Sequence, residues 1–291
     1  MQYGISILLS GISLGGQYAL IAIGYTMVYG ILRLINFAHG DVFMVAGLMM
    51  VYLSASLPLA AAIPLMIILT VLLGFIIERA AYKPLRTAPR MSVMISAIGV
   101  SYLLENTATY VTGGQPMTYP TIGILNKTID IVGTSTKLVV IITPILVLVL
   151  IVLLTQLINH TKIGMAMRAV SKDFETARLM GIKINNVISM TFVIGSALAV
   201  VGSILYFTTY PAITPTAGAM PGLKAFVAAV FGGIGSIPGA VIGGFLIGIC
   251  ESLIKGAGAT TFSDAFTFAL LIVVLAVKPT GLFSENLTEK V

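Results

Sequence analysis

The sequence has 291 residues, of which 58% are hydrophobic and only 9% are charged, and its mean hydropathy is +1.06. Ordinary soluble domains carry about 25% charged residues, so this composition indicates an integral membrane protein. The formal net charge of +6 does not indicate a nucleic-acid-binding protein, because the cations concentrate in two short loops and do not line one face.

Apolar runs of membrane length follow one another along the chain. A transmembrane helix needs roughly 20 apolar residues, and the runs cover about 4–31, 37–57, 60–81, 91–112, 138–158, 187–208, 223–254 and 262–279. These runs are too long and uniform for barrel strands. We therefore predict an all-α polytopic integral membrane protein with about eight to ten transmembrane helices, some of them broken or re-entrant. The whole chain, 1–291, is expected to form a single transmembrane domain.

Two of these runs, the first and the seventh, are longer than one simple span and rich in glycine. Each is interpreted either as one long helix or as a span plus a half-helix. The N-terminal run lacks a basic leader region, so it is expected to remain as a span and not to be a cleaved signal peptide.

Lysine and arginine in short loops predict the orientation, since cytoplasmic loops are enriched in both. Residues 79–90 hold four of these cations and residues 160–186 hold five, which together make nine of the sixteen in the chain. Two spans separate the two loops, so both can face the cytoplasm. The loops at 113–136 and 209–222 are then expected outside, where their Gly, Pro and Thr favour turns. They are either plain connectors or a surface for an external partner.

The longest polar tract, residues 160–186, contains a predicted short helix. Good helix formers run from Phe174 to Met180, and Gly181 suits a left-handed C-terminal stop. A short amphipathic helix between two membrane-length segments is either a connector on the membrane surface or a contact for another protein.

Polar residues interrupt the apolar pattern at residues 32–47. Asn36, His39, Gly40 and Asp41 lie there between two spans. Such groups near membrane depth usually face a cavity or the protein interior, so these four are candidates for a translocation path. The alternative is an ordinary loop at the membrane surface. His39 and Asp41 are not expected to bind a metal, because the chain has only one other histidine.

A second interruption lies in the glycine-rich residues 231–248. Gly235, Gly239 and Gly243 recur every four residues, a stripe that allows a neighbouring helix to approach closely. Pro238 and the paired glycines predict a half-helix boundary as well. The spacing does not match a dinucleotide-binding fingerprint.

Few residues remain that could carry out chemistry. Glu251 has Lys255 four residues later, which predicts a local ion pair near a membrane surface, and Glu105 has no predicted role. The sequence contains no recognisable catalytic motif and no metal-spaced cluster. The chain is therefore not expected to be an enzyme.

Several stretches together resemble one family. Residues 15–47 with the sequence NFAHG, AYKPLR at 81–86, RAVSKDFETARLMGI at 168–182 and residues 221–244 with GGIGSIPGA are similar to the branched-chain amino acid ABC transporter permeases of the LivH type. The resemblance covers nearly the whole chain, in order. Importers of urea and short amides share much of this pattern, so the resemblance leaves the solute open among these.

The resemblance implies a permease subunit of an ATP-driven importer in a bacterial-type cell (inner) membrane. Such a permease forms the translocation path with a second homologous permease and binds two cytoplasmic ATPase subunits. It receives a small-molecule substrate from an extracytoplasmic substrate-binding protein. No cofactor is expected in this chain, because the partner subunits bind ATP and Mg. Its remaining contacts are expected with membrane lipid, and none with nucleic acid.

The resemblance also assigns a role to the tract at 160–186. Glu175, Ala177 and Gly181 fit the E-A-A-x-x-x-G pattern by which importer permeases engage their ATPases, although Thr176 replaces the middle alanine and no I-x-L-P follows. This tract is therefore expected to be an ATPase-coupling loop. Its candidate residues are Arg168, Asp173, Glu175, Ala177, Arg178 and Gly181.

A protein of a different class, a secondary transporter or a channel subunit, is the main alternative. It would need no ATPase and would be expected to carry intramembrane acids that couple an ion to the substrate. The sequence offers few of these.

Overall fold

The computed structural model describes residues 2–86, 88–131, 134–278 and 280–283, and these residues are mostly helical. The helices are α1 (Gln2–Leu32), α2 (His39–Ser56), α3 (Leu59–Ile77), α4 (Arg90–Thr112), α5 (Leu138–His160), α6 (Lys162–Lys172), α7 (Phe174–Leu179), α8 (Ile184–Thr209), α9 (Ala219–Gly232), α10 (Ile237–Gly256) and α11 (Ser263–Val277). A π-helical turn (Glu78–Tyr82) extends α3. The short strands are β1 (Met117–Thr118), β2 (Thr128–Ile131), β3 (Thr134–Lys137) and β4 (Ala212–Ile213).

The prediction of an all-α polytopic membrane protein is confirmed. Seven helices in the described residues are long and apolar enough to cross a membrane. Helix α4 is also of membrane length, with 23 residues, and α9 is a shorter apolar helix. When both are included, the number falls within the predicted range of about eight to ten.

The two long runs differ in a way that the sequence left open. The first run is one continuous helix of 31 residues. The seventh is split into α9 and α10 by a turn in which Gly233 and Gly235 both have positive φ, near 100°. Ser236 then caps α10 by accepting a hydrogen bond from the amide of Gly239 at 3.2 Å, and Pro238 lies in the first turn. The break therefore has specific chain-reversing residues, which α1 lacks.

At each end of the bundle, the structure brings together two loops that the distribution of lysine and arginine predicted to lie on the same side. At one end, here called the basic end, Arg86 donates to Asn185 and pairs with Glu78, and Ser189 donates to Glu78 at 2.7 Å. These contacts join the loop at 79–90 to the end of the tract at 160–186. Their predicted location at the same end of the bundle is confirmed.

The opposite end, here called the hairpin end, carries the other two loops. β1 pairs with β4 in antiparallel fashion, with Met117 opposite Ile213, and β2 pairs with β3. Because β1 and β4 come from the loops at 113–136 and 209–222, these two loops also share one end of the bundle, as predicted.

Helix α1 is the centre of the bundle, and glycines let α10 approach it closely. A Cβ on Gly248 would lie 2.2 Å from the backbone nitrogen of Gly15, and one on Gly244 would lie 2.7 Å from Cα of Ala19. The opposite face of α10 packs against α9, since a Cβ on Gly243 would lie 2.1 Å from the carbonyl oxygen of Ala228. α10 therefore has two glycine faces, each in contact with another helix backbone.

Candidate functional site

The chain between α1 and α2 turns back into the bundle. Arg33, directly after α1, has a left-handed φ of 54°, and α2 begins six residues later with His39, packed against Gly24 of α1. A Cβ on Gly24 would lie 2.1 Å from Nε2 of His39. From Gly24 to the end of α1 is about 12 Å along the helix axis. Helix α2 therefore begins inside the bundle, well away from its basic end.

The first turns of α2 and α9 meet at this depth. A Cβ on Gly218, the N-cap of α9, would lie 2.2 Å from the carbonyl oxygen of Gly40, and one on Gly40 would lie 2.7 Å from that of Gly218. Only glycine allows such a backbone contact. Two helices thus start next to each other within the protein, an arrangement that transporters use to line a path.

A cavity of about 240 Å³ lies beside this contact, between α1, α2, α4 and α9. We call it the acidic cavity. Its polar side chains include Asp41, Ser101 and Glu105. Four aromatic rings also line it: Tyr25, Phe37, Tyr102 and Phe226. No lysine, arginine or histidine lines it in the described part of the chain.

The four predicted path residues have different surroundings. Gly40 and Asp41 line the acidic cavity. Asn36 is buried and accepts a hydrogen bond from the hydroxyl of Tyr82 at 2.7 Å. His39 is also buried, and its ring meets that of Tyr25 edge-on at 5.1 Å. The interruption is thus buried in protein and is not an exposed surface loop.

Asp41 is the least satisfied group in this cavity. The hydroxyl of Ser101 donates to Oδ2 of Asp41 at 2.5 Å. Oδ1 is buried and has no hydrogen-bond partner among the described residues. Asp41 lies in the first turn of α2, where the helix dipole favours a negative charge. Sequence reasoning singled out Asp41 but missed Ser101, and it found no role for Glu105. The spacing of Ser101 and Glu105, one helical turn apart, was the available signal.

A larger cavity, of about 570 Å³, lies towards the hairpin end between α1, α8, α9, α10 and α11. We call it the paired cavity, because its charged groups neutralise one another. Nζ of Lys224 lies 2.7 Å from Glu251 and 2.6 Å from Asp264. Lys255 lies 2.5 Å from Glu251, and the hydroxyl of Tyr18 donates to Glu251 at 2.9 Å.

The predicted ion pair of Glu251 with Lys255 is confirmed, but its surroundings differ from the prediction. Glu251 is only 1% exposed, and it binds Lys224 from another helix as well. Sequence reasoning missed Lys224, which is also buried. Its partner lies on α10, too far along the chain for local spacing to reveal.

The residues of the predicted coupling loop form α6 and α7 at the basic end. Asp173 caps α7 by accepting hydrogen bonds from the amides of Glu175 and Thr176 and from the Thr176 hydroxyl. The hydrogen bond from the Thr176 hydroxyl, followed by the two amide bonds, holds the pKa of Asp173 below its usual range. Gly181 ends the segment with φ near 80°, and the amide of Ile182 donates back to the carbonyl of Ala177 at 3.1 Å.

Helix α7 is held on one side and open on the other. Ala177 is buried against the protein, whereas Leu179 is 87% and Met180 is 79% exposed. Glu175 and Arg178 are also exposed. The guanidinium of Arg168 donates to Asn159 at 3.0 Å and so attaches α6 to the end of α5. The predicted helix and its glycine stop are confirmed, and the helix presents two apolar side chains.

The four predicted packing residues lie at the turn between α9 and α10 and just after it. Gly235 is in the turn with positive φ, and Pro238 lies in the first turn of α10. Gly239 and Gly243 contact the backbone of α9. Only these two thus form the close helix contact that the stripe predicted.

These features define a multi-pass membrane protein whose helices are interrupted inside the bundle beside a cavity, as in transport proteins. A family model described as "Branched-chain amino acid transport system / permease component" matches residues 7–275. The chain is 43% identical to the high-affinity branched-chain amino acid transport system permease protein LivH of Salmonella typhimurium, covering 99% of this chain and 98% of that relative.

Two further relatives agree. LivH of Escherichia coli (strain K12) is 41% identical, covering 99% of this chain and 98% of the relative. The permease protein BraD of Pseudomonas aeruginosa is also 41% identical, over 98% and 97%. The chain belongs to the family of branched-chain amino acid transport system permease components.

Proposed function

We propose that this protein is the membrane-spanning permease subunit of an ATP-driven importer of branched-chain amino acids in a bacterial-type cell (inner) membrane. A binding protein delivers the substrate at the hairpin end, and two ATPase subunits bind at the basic end. The chain itself moves solute and performs no catalysis. The names of its relatives, which are similar to it over nearly its whole length, support this proposal.

The observation that carries the coupling assignment is the exposed apolar end of α7. Leu179 and Met180 are exposed at the basic end, although a six-residue helix gains little by exposing them. Their exposure is explained when both enter a cleft of an ATPase. The cap at Asp173 and the stop at Gly181 fix the position of this helix, so closure of the ATPases would push on α6 and the ends of α5 and α8.

A second permease is proposed to close the open side of the acidic cavity along α4. Met91, Ile95, Ile98 and Tyr102 recur along one exposed face of α4, and Tyr102 borders the cavity, as does Glu105. A carboxylate facing lipid is costly, so a protein partner fits this face better than lipid does. The translocation path would then run between the two permeases.

The test of this function is the double variant Leu179→Asp with Met180→Asp. Because α7 keeps its cap and its buried Ala177, the variant should fold and insert normally. We expect it to lose its ATPase subunits on co-purification and to lose ATP-dependent leucine uptake in proteoliposomes. Glu175→Lys and Gly181→Leu should have the same effect to a smaller degree.

The matched control is Ile124→Asp, an equally polar change of an exposed apolar residue at the hairpin end. It should leave ATPase binding intact. Normal co-purification and uptake in the α7 double variant would contradict the coupling assignment. Uptake of leucine by this chain alone, without ATP or companion subunits, would instead support a secondary transporter or channel, and ATP-dependent uptake of urea in place of leucine would identify the amide-type importer.

A further inference from the structure

Two carboxylates line each cavity, but their hydrogen-bond and ion-pair partners differ. In the paired cavity, Glu251 contacts two lysines and a tyrosine hydroxyl. In the acidic cavity, Asp41 is 2% exposed and receives one hydrogen bond, from Ser101. Its second oxygen has no partner in the described part of the protein. An ionised group so far from water is costly unless something of opposite charge approaches it.

No basic side chain in the described lining of the acidic cavity supplies this charge, and the start of α2 offers Asp41 only the partial positive charge of its helix dipole. Glu105 adds a second carboxylate to the lining, one turn along α4 from Ser101, and the described lining residues include no basic side chain. A cleft lined by one sign of charge attracts ions of the other sign. The cavity therefore selects for a cation.

The aromatic rings define which kind of cation fits. The rings of Tyr25 and Phe226 lie 6.1 Å apart and those of Phe37 and Phe226 lie 6.2 Å apart. All three border the cavity, and Tyr102 completes its aromatic lining. Ring faces attract organic ammonium groups, and the apolar surface of the rings packs against aliphatic chains. The described residues contain no group of three or more His, Cys, Asp or Glu side chains that could hold a metal ion. A primary ammonium group with an apolar substituent, in contrast, can contact both the carboxylates and the aromatic rings of this cavity.

We propose that the acidic cavity is an ammonium-binding subsite on the translocation path. Asp41 accepts the α-ammonium group of a zwitterionic amino acid, Glu105 adds a second negative charge, and the aromatic rings hold the apolar side chain. The subsite rests on the proposed function for the identity of its ligand, but its preference for cations follows from its lining alone. The hydroxyl of Ser101 donates to Oδ2 of Asp41, and the buried Oδ1, which has no partner among the described residues, is the oxygen that we assign to the ammonium group.

The first test measures charge preference without any transport. In a Cys250→Ala background, Ala219→Cys places a thiol at the cavity, since Ala219 is exposed there. The complete importer is labelled with 2-aminoethyl or 2-sulfonatoethyl methanethiosulfonate, and modification of this chain is followed by mass spectrometry. Ala212→Cys is the matched control, because it places the same thiol in the paired cavity.

The ratio of cationic to anionic labelling rates should be about tenfold higher at position 219 than at position 212. Adding Asp41→Asn should remove most of this difference at position 219 and leave position 212 unchanged. Equal ratios at the two positions, or a ratio at position 219 that Asp41→Asn does not alter, would overturn the proposal.

The second test uses the importer in proteoliposomes with its binding protein. Asp41→Asn should lower leucine uptake about tenfold or more, while ATP hydrolysis stimulated by the binding protein continues. Asp41→Glu should restore part of the uptake, and Asp264→Asn, a change of a half-exposed carboxylate in the paired cavity, should leave uptake close to that of the wild type. Wild-type uptake in Asp41→Asn, or equal loss of uptake and of stimulated ATP hydrolysis, would count against the subsite. If the wild-type importer itself shows no ATP-dependent uptake, the proposed function fails, and the labelling ratios still decide the subsite.

Discussion

The paired cavity and the acidic cavity lie on either side of α9 and show two uses of charge inside a membrane protein. In the first, four charged groups from α9, α10 and α11 neutralise one another. In the second, Asp41 keeps an oxygen without a partner. The neutralised set joins three helices, and the carboxylate with an unpartnered oxygen is the one to which we assign a ligand. The completeness of the hydrogen bonding, more than the presence of charge, separates a structural group from a binding group.

Removing the central carboxylate of the paired cavity should have the largest effect on stability. Glu251→Gln removes the shared partner of Lys224 and Lys255 and leaves the buried Lys224 with Asp264 alone, and breaking a buried ion pair costs about 3–5 kcal/mol. The midpoint of thermal unfolding of the purified protein in detergent should fall accordingly. Asp264→Asn is the control, because this side chain is 46% exposed and its loss should cost about 1 kcal/mol or less. Equal shifts in both variants would show that burial of Glu251 is unimportant.

A bulky residue between α9 and α10 should disturb both cavities at once. In Gly243→Leu the new side chain begins 2.1 Å from the carbonyl oxygen of Ala228, so the two helices must separate. Overpacking of this kind costs about 1–3 kcal/mol, and leucine uptake should be lost with it. Gly4→Leu near the start of α1 meets nothing within 4 Å and should behave as the wild type in both thermal unfolding and uptake. A normal Gly243→Leu protein would show that close contact of α9 with α10 is unnecessary.

The substitution Asp41→Asn should have the smallest effect on stability, although its effect on transport should be large. Asp41→Asn keeps the shape of the side chain and can still accept a hydrogen bond from Ser101, but it removes an unpaired charge from the interior. Its free energy of unfolding should therefore stay within about 1 kcal/mol of the wild-type value, or rise. A loss as large as that of Glu251→Gln would place Asp41 among the structural charges and would remove the contrast between the two cavities.

Features determined by neighbouring residues could be read from the sequence. Asp173, the helix formers after it and Gly181 are close together in the chain, and the structure has the helix and its left-handed stop where they predicted them. The break between α9 and α10 likewise follows from glycines with positive φ and from Pro238. α1 has six glycines but stays continuous, because none of them has the positive φ that Gly233 and Gly235 adopt.

Features that join distant residues could not be read in the same way. Asp41 meets Ser101 from 60 positions away, and Lys224 meets Glu251 from 27 positions away. Each of these groups alone looks like an isolated polar residue in an apolar run. Their partners are determined by which helices pack together, and that depends on glycine contacts over the whole bundle. The sequence therefore revealed the polar interruptions without showing which of them share a cavity.

Helix α9 links the two cavities mechanically, because it borders both of them. It has 14 residues and is thus about 21 Å long. One side of it carries Lys224 into the paired cavity, while Gly222 and Phe226 line the acidic cavity. A rigid helix that borders a cavity on each side cannot tilt without moving its contacts on both sides. If α9 tilts as a rigid body, a movement that separates Lys224 from Glu251 would also move Gly222 relative to the start of α2, so the shapes of the two cavities would change together.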